Sequence, residues 1–202
     1  FPGLRILRQP LGETLFCFLC SSTKQIIQIK AICEAVAAQL GSPLPDGSRA
    51  LPDWSQLAEA GEAPLRRAKL GYRARYIHQT ACFLHSRPDY LEQIDASPTD
   101  LAREQLMALP GVGRSTAGGI LSSAFNCGLP ILDGNVRRVL ARLQAHPRPP
   151  MRQQALFWQW SEALLAASPG RGRDCNQALM DLGATLCTPR QPSCGLCPWR
   201  SS

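Results

Sequence analysis

The chain lacks any segment that could cross a membrane or direct secretion. No apolar run is long enough to span a bilayer, and the first residues do not have the pattern of a signal peptide. These absences argue against a membrane partner. Because nine cysteines occur without a secretion signal, they indicate a reducing compartment, where metal binding is favoured over disulfides.

Lysine is also scarce: it occurs only at Lys24, Lys30 and Lys69, so arginine supplies most of the positive charge. The formal net charge of +7 favours a polyanionic partner. Hydrophobic residues make up 45% of the 202 residues, which predicts a globular chain with one large domain or two small ones. Since the sequence starts abruptly within what looks like structured sequence, we expect it to be a piece of a longer protein.

Apolar spacing predicts a series of helices before residue 100. They cover Leu11–Cys20, Thr23–Gln39, 54–60, 62–68, Tyr72–Ser86 and 89–94, after an extended lead-in over residues 1–10.

The stretch 109–118 predicts a tight turn between two helices. A short amphipathic helix over 101–108 is stopped by Pro110, and a second helix runs from Arg114 to about Cys127. Gly111 and Gly113 permit backbone angles that a side chain would forbid. The first N–H groups of the second helix and the positive end of its dipole suit a phosphate. A helical hairpin that uses Gly-x-Gly only to turn is the structural alternative.

Asp133 follows an apolar run, 129–132, and precedes a basic helix from Asn135 to Arg142. One interpretation is an N-cap, because aspartate before a helix start caps it well. The other is a carboxylate held beside DNA to stabilise a cationic sugar. The two roles are compatible.

Together with 176–184 and the cysteines that follow, the run from Leu109 to Arg142 closely resembles the MutY adenine DNA glycosylases. These belong to the helix-hairpin-helix family, which also contains endonuclease III. The resemblance implies an all-α, helix-hairpin-helix DNA glycosylase fold, with a helical barrel domain and a helical iron–sulfur domain. It also implies that Asp133 is catalytic and that the turn binds a DNA phosphate, through Gly111, Val112, Gly113, Arg114 and Ser115.

Three earlier stretches, 3–9, 18–22 and 70–76, resemble the eukaryotic-type 8-oxoguanine glycosylases of the same superfamily. That resemblance implies that Tyr72 wedges into the duplex and that Arg73 reads the base opposite the lesion. An aromatic plug can fill the gap left by an extruded base, and arginine can donate two hydrogen bonds to a base. The alternative is that Tyr72 merely starts a helix and packs on it.

Cys187, Cys194 and Cys197 have the C-x6-C-x2-C spacing of the iron–sulfur loop of endonuclease III and MutY. In those enzymes a fourth cysteine follows, which here would be position 203, just beyond the given chain. The resemblance therefore implies a [4Fe–4S] cluster. Three unrelated thiols, a zinc site and a degenerate cluster are the alternatives. The other six cysteines lie in helical patterns and are expected to be small buried hydrophobes.

Two departures from these families bear on the chemistry. The 8-oxoguanine enzymes place a Schiff-base lysine where this chain has Ser115, so we expect base removal without strong strand cleavage, with Lys24 as the reserve amine or pocket residue. The MutY glutamate that protonates adenine falls near Cys17, and Glu13 is only a loose substitute. Asn135 and the first turn of its helix are expected to position a phosphate or the acid.

We therefore predict a mainly monofunctional DNA glycosylase that removes 8-oxoguanine, or the adenine opposite it, from double-stranded DNA carrying a damaged or mispaired base. The alternatives are an inert damage-sensing DNA-binding module, a bifunctional glycosylase and AP lyase, and a structural helical protein with a metal staple. We expect a monomer in a bacterial cytoplasm or nucleoid, or in a nucleus. We predict three parts. Residues 1–22 form the lead-in and first helix and pack with the C-terminal domain. Residues 23–130 form the helical barrel with the helix-hairpin-helix at 103–127, and residues 131–202 form the C-terminal domain with the iron–sulfur loop over 187–202.

Overall fold

The computed structural model describes residues 9–22, 24–146 and 153–200, and in these ranges the protein is all-α, as predicted. The only β-type pairing in the described ranges is an isolated bridge between Pro43 and Arg49. The helices are α1 Leu11–Ser21, α2 Ile26–Leu40, α3 Trp54–Ala60, α4 Glu62–Arg67, α5 Arg73–His85, α6 Tyr90–Ala96, α7 Thr99–Met107, α8 Arg114–Phe125, α9 Gly134–Leu143, α10 Gln154–Ala166 and α11 Gly172–Thr185. No helix in these ranges is long and apolar enough to cross a membrane.

The described residues form two compact units, an N-terminal unit from Gln9 to Ile120 and a C-terminal unit that begins at Leu121. This division differs from the predicted domains in two respects. The boundary falls within α8 instead of after residue 130, and α1 belongs to the N-terminal unit, where it packs against α2, α5 and α6. The predicted extended lead-in lies outside the described residues over positions 1–8.

In the N-terminal unit, α1, α3 and α4 all pack against α5. Each of these helices contributes an almost fully buried aliphatic side chain, and each such side chain stabilises the fold by roughly 1.5–3 kcal/mol. They are Leu15 from α1, Leu57 from α3, Leu65 from α4 and Ile77 from α5.

In the C-terminal unit, α9 packs against both α10 and α11. Its buried face has the helical spacing of Val136, Val139 and Leu140, and Phe157 of α10 is fully buried against it. The basic face of α9 is therefore turned away from this core, which leaves its arginines available for polar contacts.

Two helix ends differ from the prediction for identifiable reasons. Helix α2 begins at Ile26 instead of Thr23, because Gln25 and Gln28 form a reciprocal cap at that position. Helix α8 ends at Phe125 because Asn126 has a φ of 58°. The Asn126 side chain accepts a hydrogen bond from the Arg173 backbone N–H at 3.0 Å and donates to the Gly170 carbonyl at 2.9 Å.

The expectation that six cysteines outside the C-terminal motif are buried is mostly wrong. Only Cys20 is fully buried, and Cys82 is exposed on α5. The remaining four are partly buried: Cys17, Cys33, Cys127 and Cys175. Cys127 also follows the end of α8 and is not helical, since Asn126 has already turned the chain.

Candidate DNA-binding and catalytic residues

The predicted hairpin turn is present between α7 and α8 of the N-terminal unit. Leu109 and Val112 are buried on either side of the bend, and the Val112 N–H donates to the Leu109 carbonyl at 3.1 Å. Gly111 has a φ of +82°, and a Cβ at this position would lie 3.0 Å from the Cβ of Tyr76. Both its backbone conformation and its surroundings therefore require glycine at Gly111.

The far side of the turn is open. Gly113 is exposed and a Cβ added there would meet nothing within 4 Å, so nothing in its own unit crowds the backbone at this point. Arg114 is exposed and Ser115 is partly exposed in the first turn of α8. The positive end of the α8 dipole lies at these residues, next to an arginine, which is a suitable arrangement for an anion.

Tyr72 and Arg73, the predicted wedge and base reader, lie at the start of α5 in different surroundings. Tyr72 is 56% exposed, and its ring makes an edge contact with Tyr76 and lies under the Arg73 guanidinium at 4.7 Å. Arg73 itself is only 5% exposed, and it donates to the carbonyls of Leu70 and Ser22. An exposed aromatic ring suits a wedge, whereas the guanidinium of Arg73 braces the backbone here; both roles stay predictions.

Lys24, the reserve amine, is partly exposed in the short connection between α1 and α2. Its backbone N–H donates to the Ser21 carbonyl at 3.0 Å. Lys24 is two residues after Ser22, whose carbonyl accepts a hydrogen bond from Arg73. Its role as a reactive amine stays a prediction.

Asp133 is the N-cap of α9. Its side chain accepts a hydrogen bond from the Val136 N–H at 2.7 Å, and its backbone is extended, with φ −85° and ψ −176°. The capping interpretation is thus realised in the structure. Asp133 is also partly exposed, so a ligand can approach its carboxylate while the cap hydrogen bond fixes the orientation of the group. Both features are compatible with the catalytic interpretation.

Asn135 is in the first turn of α9 and is directed toward its own unit. Its Oδ1 accepts from Nη2 of Arg138 at 2.8 Å. A Cβ at Gly183 of α11 would lie 2.7 Å from the Cβ of Asn135, so α9 and α11 approach closely at this point. These contacts support the position of α9, and the predicted phosphate contact of Asn135 stays a prediction.

Two arginines of α9, which sequence reasoning did not single out, hold the start of the cysteine segment. Arg138 donates through Nε to the Cys187 carbonyl at 2.7 Å and through Nη2 to the Gly183 carbonyl at 2.5 Å. Arg142 donates through Nη1 to the Thr188 carbonyl at 2.8 Å and to Sγ of Cys187 at 3.2 Å. Their spacing on the basic face of α9 was the only signal of this role in the sequence.

The three motif cysteines lie in an irregular segment after α11. Cys187 is partly buried, Cys194 is exposed at the start of a short 3-10 turn, and the Cys197 N–H donates to the Cys194 carbonyl at 3.2 Å. Across the described ranges, no three histidine, cysteine or carboxylate side chains converge on a point that a single metal ion could occupy.

An iron–sulfur cluster is bound by cysteine thiolates, one to each ligated iron, and four cysteines are the usual ligand set. Three thiols in a non-helical segment, one of them already accepting a hydrogen bond from Arg142, fit such a group, because a cationic donor offsets the negative charge of thiolate ligands.

Comparison with known proteins identifies the class. Residues 16–163 match the HhH-GPD superfamily of base excision DNA repair proteins, so the chain belongs to that superfamily. Residues 187–202 match the iron–sulfur binding domain of endonuclease III.

Among curated proteins, the chain is similar to several adenine DNA glycosylases. It is 38% identical over 168 residues to that of Mycobacterium tuberculosis, which covers 80% of this chain and 52% of the relative. It is 35% identical over 161 residues to that of Mus musculus, which covers 76% of this chain and 30% of the relative. The chain thus spans at most about half the length of these relatives.

The fold has solved counterparts. The 8-oxoguanine glycosylase/lyase of Clostridium acetobutylicum, in complex with double-stranded DNA containing cytosine opposite 8-oxoguanine, superimposes with a TM-score of 0.75. The match covers 88% of this chain and 61% of that one, at 24% identity. At this identity the likeness confirms the fold and carries no conclusion about substrate.

Proposed function

We propose that the protein is a base-excision DNA glycosylase that hydrolyses the N-glycosidic bond of a flipped-out base in 8-oxoguanine-related damage. The observation that carries the proposal is Asp133: a partly exposed carboxylate, fixed in one orientation by the Val136 N–H, in a chain of the HhH-GPD superfamily. Departure of the base leaves positive charge on the sugar. A preorganised carboxylate stabilises that charge or orients the attacking water.

The turn at Gly111–Gly113 supplies the DNA contact in this proposal. A phosphate approaches the open backbone at Gly113 and the first turn of α8, where the helix dipole and the exposed Arg114 both favour negative charge. Such a contact carries no sequence information, and therefore suits an enzyme that must examine any duplex. The net charge of +7 acts in the same direction.

Tyr72 is the proposed wedge, since the residue is more than half exposed and the Tyr76 ring contacts its ring edge-on. An extruded base leaves a gap in the stack, and an aromatic ring inserted there offsets part of the lost stacking. Arg73 acts with it by holding the end of α1 through the Ser22 carbonyl. We propose that its guanidinium reaches the opposite base only after DNA replaces one of these carbonyl contacts.

The proposed substrate is adenine opposite 8-oxoguanine, or 8-oxoguanine itself. The named relatives at 35–38% identity act on adenine, which supports the first. The second stays open because the position matched to the adenine-protonating glutamate falls near Cys17, which is a thiol. Ser115 in the first turn of α8 supports a mainly monofunctional reaction, because a hydroxyl cannot form the Schiff base that cleaves the strand.

The proposed cofactor is a [4Fe–4S] cluster held in part by Cys187, Cys194 and Cys197. The match of residues 187–202 to the iron–sulfur binding domain of endonuclease III supports this proposal. When bound, the cluster supplies a rigid charged centre for the segment. The chain's own part is to present the thiols and to anchor the segment to α9 through Arg138 and Arg142.

The experiment is a panel of duplexes carrying 8-oxoguanine opposite A, 8-oxoguanine opposite C, and uracil or T opposite G, each analysed with and without alkali. We expect cleavage only after alkali, and only in the 8-oxoguanine duplexes. Cleavage without alkali, together with a borohydride-trapped adduct that Lys24→Ala abolishes, would replace the monofunctional proposal with a bifunctional one.

The matched pair of variants is Asp133→Asn and Asp53→Asn. Asp53 is also an N-cap, accepting from the Gln56 N–H at 2.8 Å, and asparagine preserves both caps. We expect Asp133→Asn to reduce turnover by about 10²–10³-fold while DNA affinity is retained, and Asp53→Asn to be neutral. Retained turnover in Asp133→Asn would refute the catalytic role. Absence of turnover in the unmodified protein, with damage-specific binding, would identify an inert sensor.

A further inference from the structure

One face of α5 carries Tyr72, Tyr76 and Thr80, which follow one another at intervals of four residues. Residues at positions i and i+4 of a helix lie one above the other. Tyr72 precedes the first residue of α5 but already has helical backbone angles, with φ −63° and ψ −21°. The three side chains therefore form a line along α5 that begins at the proposed wedge.

Thr80 and Tyr76 both contact the hairpin turn. Thr80 is fully buried, and its Oγ1 donates a hydrogen bond to the Pro110 carbonyl at 3.2 Å. One helical turn earlier, the Tyr76 side chain lies against Gly111, since a Cβ added to that glycine would be 3.0 Å from Cβ and 3.2 Å from Cγ of Tyr76. A hydrogen bond and a close backbone contact thus hold the turn against α5.

The Tyr76 ring also contacts the ring of Tyr72. The two ring centroids are 6.2 Å apart, and the rings meet edge to face at an interplanar angle of 82°. Tyr76 therefore contacts both the hairpin turn and the proposed wedge. Because Tyr76 is 41% exposed, its ring can be removed without opening a large cavity in the core.

We propose that Tyr76 is a positioning residue that holds the ring of Tyr72 at a fixed place relative to the phosphate-binding turn. This inference rests on the proposed wedge role of Tyr72. A ring that rotates among several orientations must settle in one when it enters the duplex, and this ordering weakens insertion by about 2–12-fold. A ring already held by Tyr76 avoids that loss.

The line from Thr80 to Tyr72 also bears on which base is examined. Phosphate contacts fix the register of a protein on a duplex but carry no sequence information. Since Tyr76 contacts the turn as well as the ring, a phosphate bound at Gly113 places Tyr72 against one particular base step. The turn and the line together therefore select the step that the ring enters.

The test measures base extrusion, so it does not require excision. One duplex carries 8-oxoguanine opposite adenine, with 2-aminopurine beside the adenine; a second carries 8-oxoguanine opposite cytosine, with 2-aminopurine beside the 8-oxoguanine. A 2′-fluoro sugar under the target base prevents cleavage. The fluorescence of 2-aminopurine rises when its neighbour leaves the stack, and saturating protein of the whole chain is used.

The informative variant is Tyr76→Leu, because leucine keeps Cβ and Cγ, the two atoms nearest Gly111, and removes only the ring. We expect it to lower the extrusion equilibrium by about 2–12-fold. Tyr76→Phe keeps the ring and should retain extrusion. Affinity for undamaged duplex, which depends on the turn, should change by less than about twofold in both variants.

A second background separates positioning from stability. In Tyr72→Ala, the further change Tyr76→Leu should have no effect on extrusion, because no ring is left to position. Phe83→Leu is the matched control: Phe83 is also on α5 and meets Tyr90 edge to face, with centroids 4.9 Å apart, and we expect normal extrusion. Circular dichroism establishes that each variant is folded.

Three results would overturn the inference. If Tyr72→Ala lowers extrusion and Tyr76→Leu does not, Tyr76 has no positioning role and the proposed wedge stands. If Phe83→Leu shows the same loss, or Tyr76→Leu the same loss in the Tyr72→Ala background, the effect is one of general stability. If the unmodified chain extrudes no base, or Tyr72→Ala extrudes normally, both the wedge and the inference fail.

Discussion

Replacement of Gly111 by alanine tests whether the hairpin turn is built as the structure indicates. At a φ of +82°, a Cβ costs about 1–2 kcal/mol of backbone energy. The new methyl would also lie 3.0 Å from the Cβ of Tyr76 and 3.2 Å from Cδ2 of Leu19, and overpacking of this kind costs about 1–3 kcal/mol. Reduced freedom of the unfolded chain returns about 0.4–1 kcal/mol. We therefore expect Gly111→Ala to lower the free energy of unfolding by about 2–3 kcal/mol.

Gly113→Ala is the matched control, two residues away in the same turn. No atom lies within 4 Å of a Cβ at Gly113 and its φ is not positive, so its free energy of unfolding should not fall, and reduced freedom of the unfolded chain should raise it by at most about 1 kcal/mol. Its DNA affinity should fall instead, because a methyl group there stands where the phosphate approaches. The two variants therefore separate the structural role of one glycine from the binding role of the other.

The assay is urea unfolding followed by circular dichroism, with DNA binding measured by fluorescence anisotropy at fixed salt. Equal stability losses in the two variants would refute the reasoning, because only Gly111 has both a positive φ and close neighbours. An unchanged DNA affinity in Gly113→Ala would show that the phosphate does not approach this backbone.

Three further predictions concern other parts of the chain. Asn126→Ala should lower the free energy of unfolding by about 2–3 kcal/mol, since it removes two hydrogen bonds and leaves alanine at a φ of 58°; a change below about 0.5 kcal/mol in urea unfolding would contradict this. Gly119→Ala should be destabilising because its methyl would overlap the Phe18 ring, and Phe18→Leu in the same chain should recover part of the loss; additive losses would argue against that contact. The rate at which iodoacetamide alkylates Cys33 should rise less steeply between pH 6 and pH 8 than that of Cys175, because hydrogen bonds from Cys17 and Cys20 lower the pKa of Cys33 whereas burial raises the pKa of Cys175; equal slopes would contradict this.

The sequence was most informative where local chemistry decides the structure. The Pro110–Gly113 turn, the helix after it and the N-cap at Asp133 each depend on residues within four positions, and all three are present. The helical pattern before residue 100 also agreed with the structure to within about three residues at each end, which is the usual precision of such boundaries.

Contacts between residues that are far apart in the sequence could not be predicted from local sequence patterns. Arg138 reaches Cys187 across 49 positions, and the basic spacing of α9 indicated a solvated face equally well. Cys33 is partly exposed on α2, whereas its pattern alone suggested a buried hydrophobe, because its exposure depends on how α2 packs on its neighbours. The end of α8 depended on Asn126, whose cap partners lie in a segment more than 40 positions away.

The arginine contacts of α9 have a consequence for protein engineering. Helix α9, ten residues and about 15 Å long, is capped by Asp133, and its residues Arg138 and Arg142 donate hydrogen bonds to the backbone carbonyls of residues 187–189. A recombinant hybrid whose crossover separates α9 from that distal loop would pair arginines with foreign carbonyls. A crossover placed before Asp133 would transfer α9 and the 187–189 segment together and would keep the hydrogen bonds between them. Hybrids with that crossover should therefore fold more often than hybrids whose crossover lies between α9 and this segment.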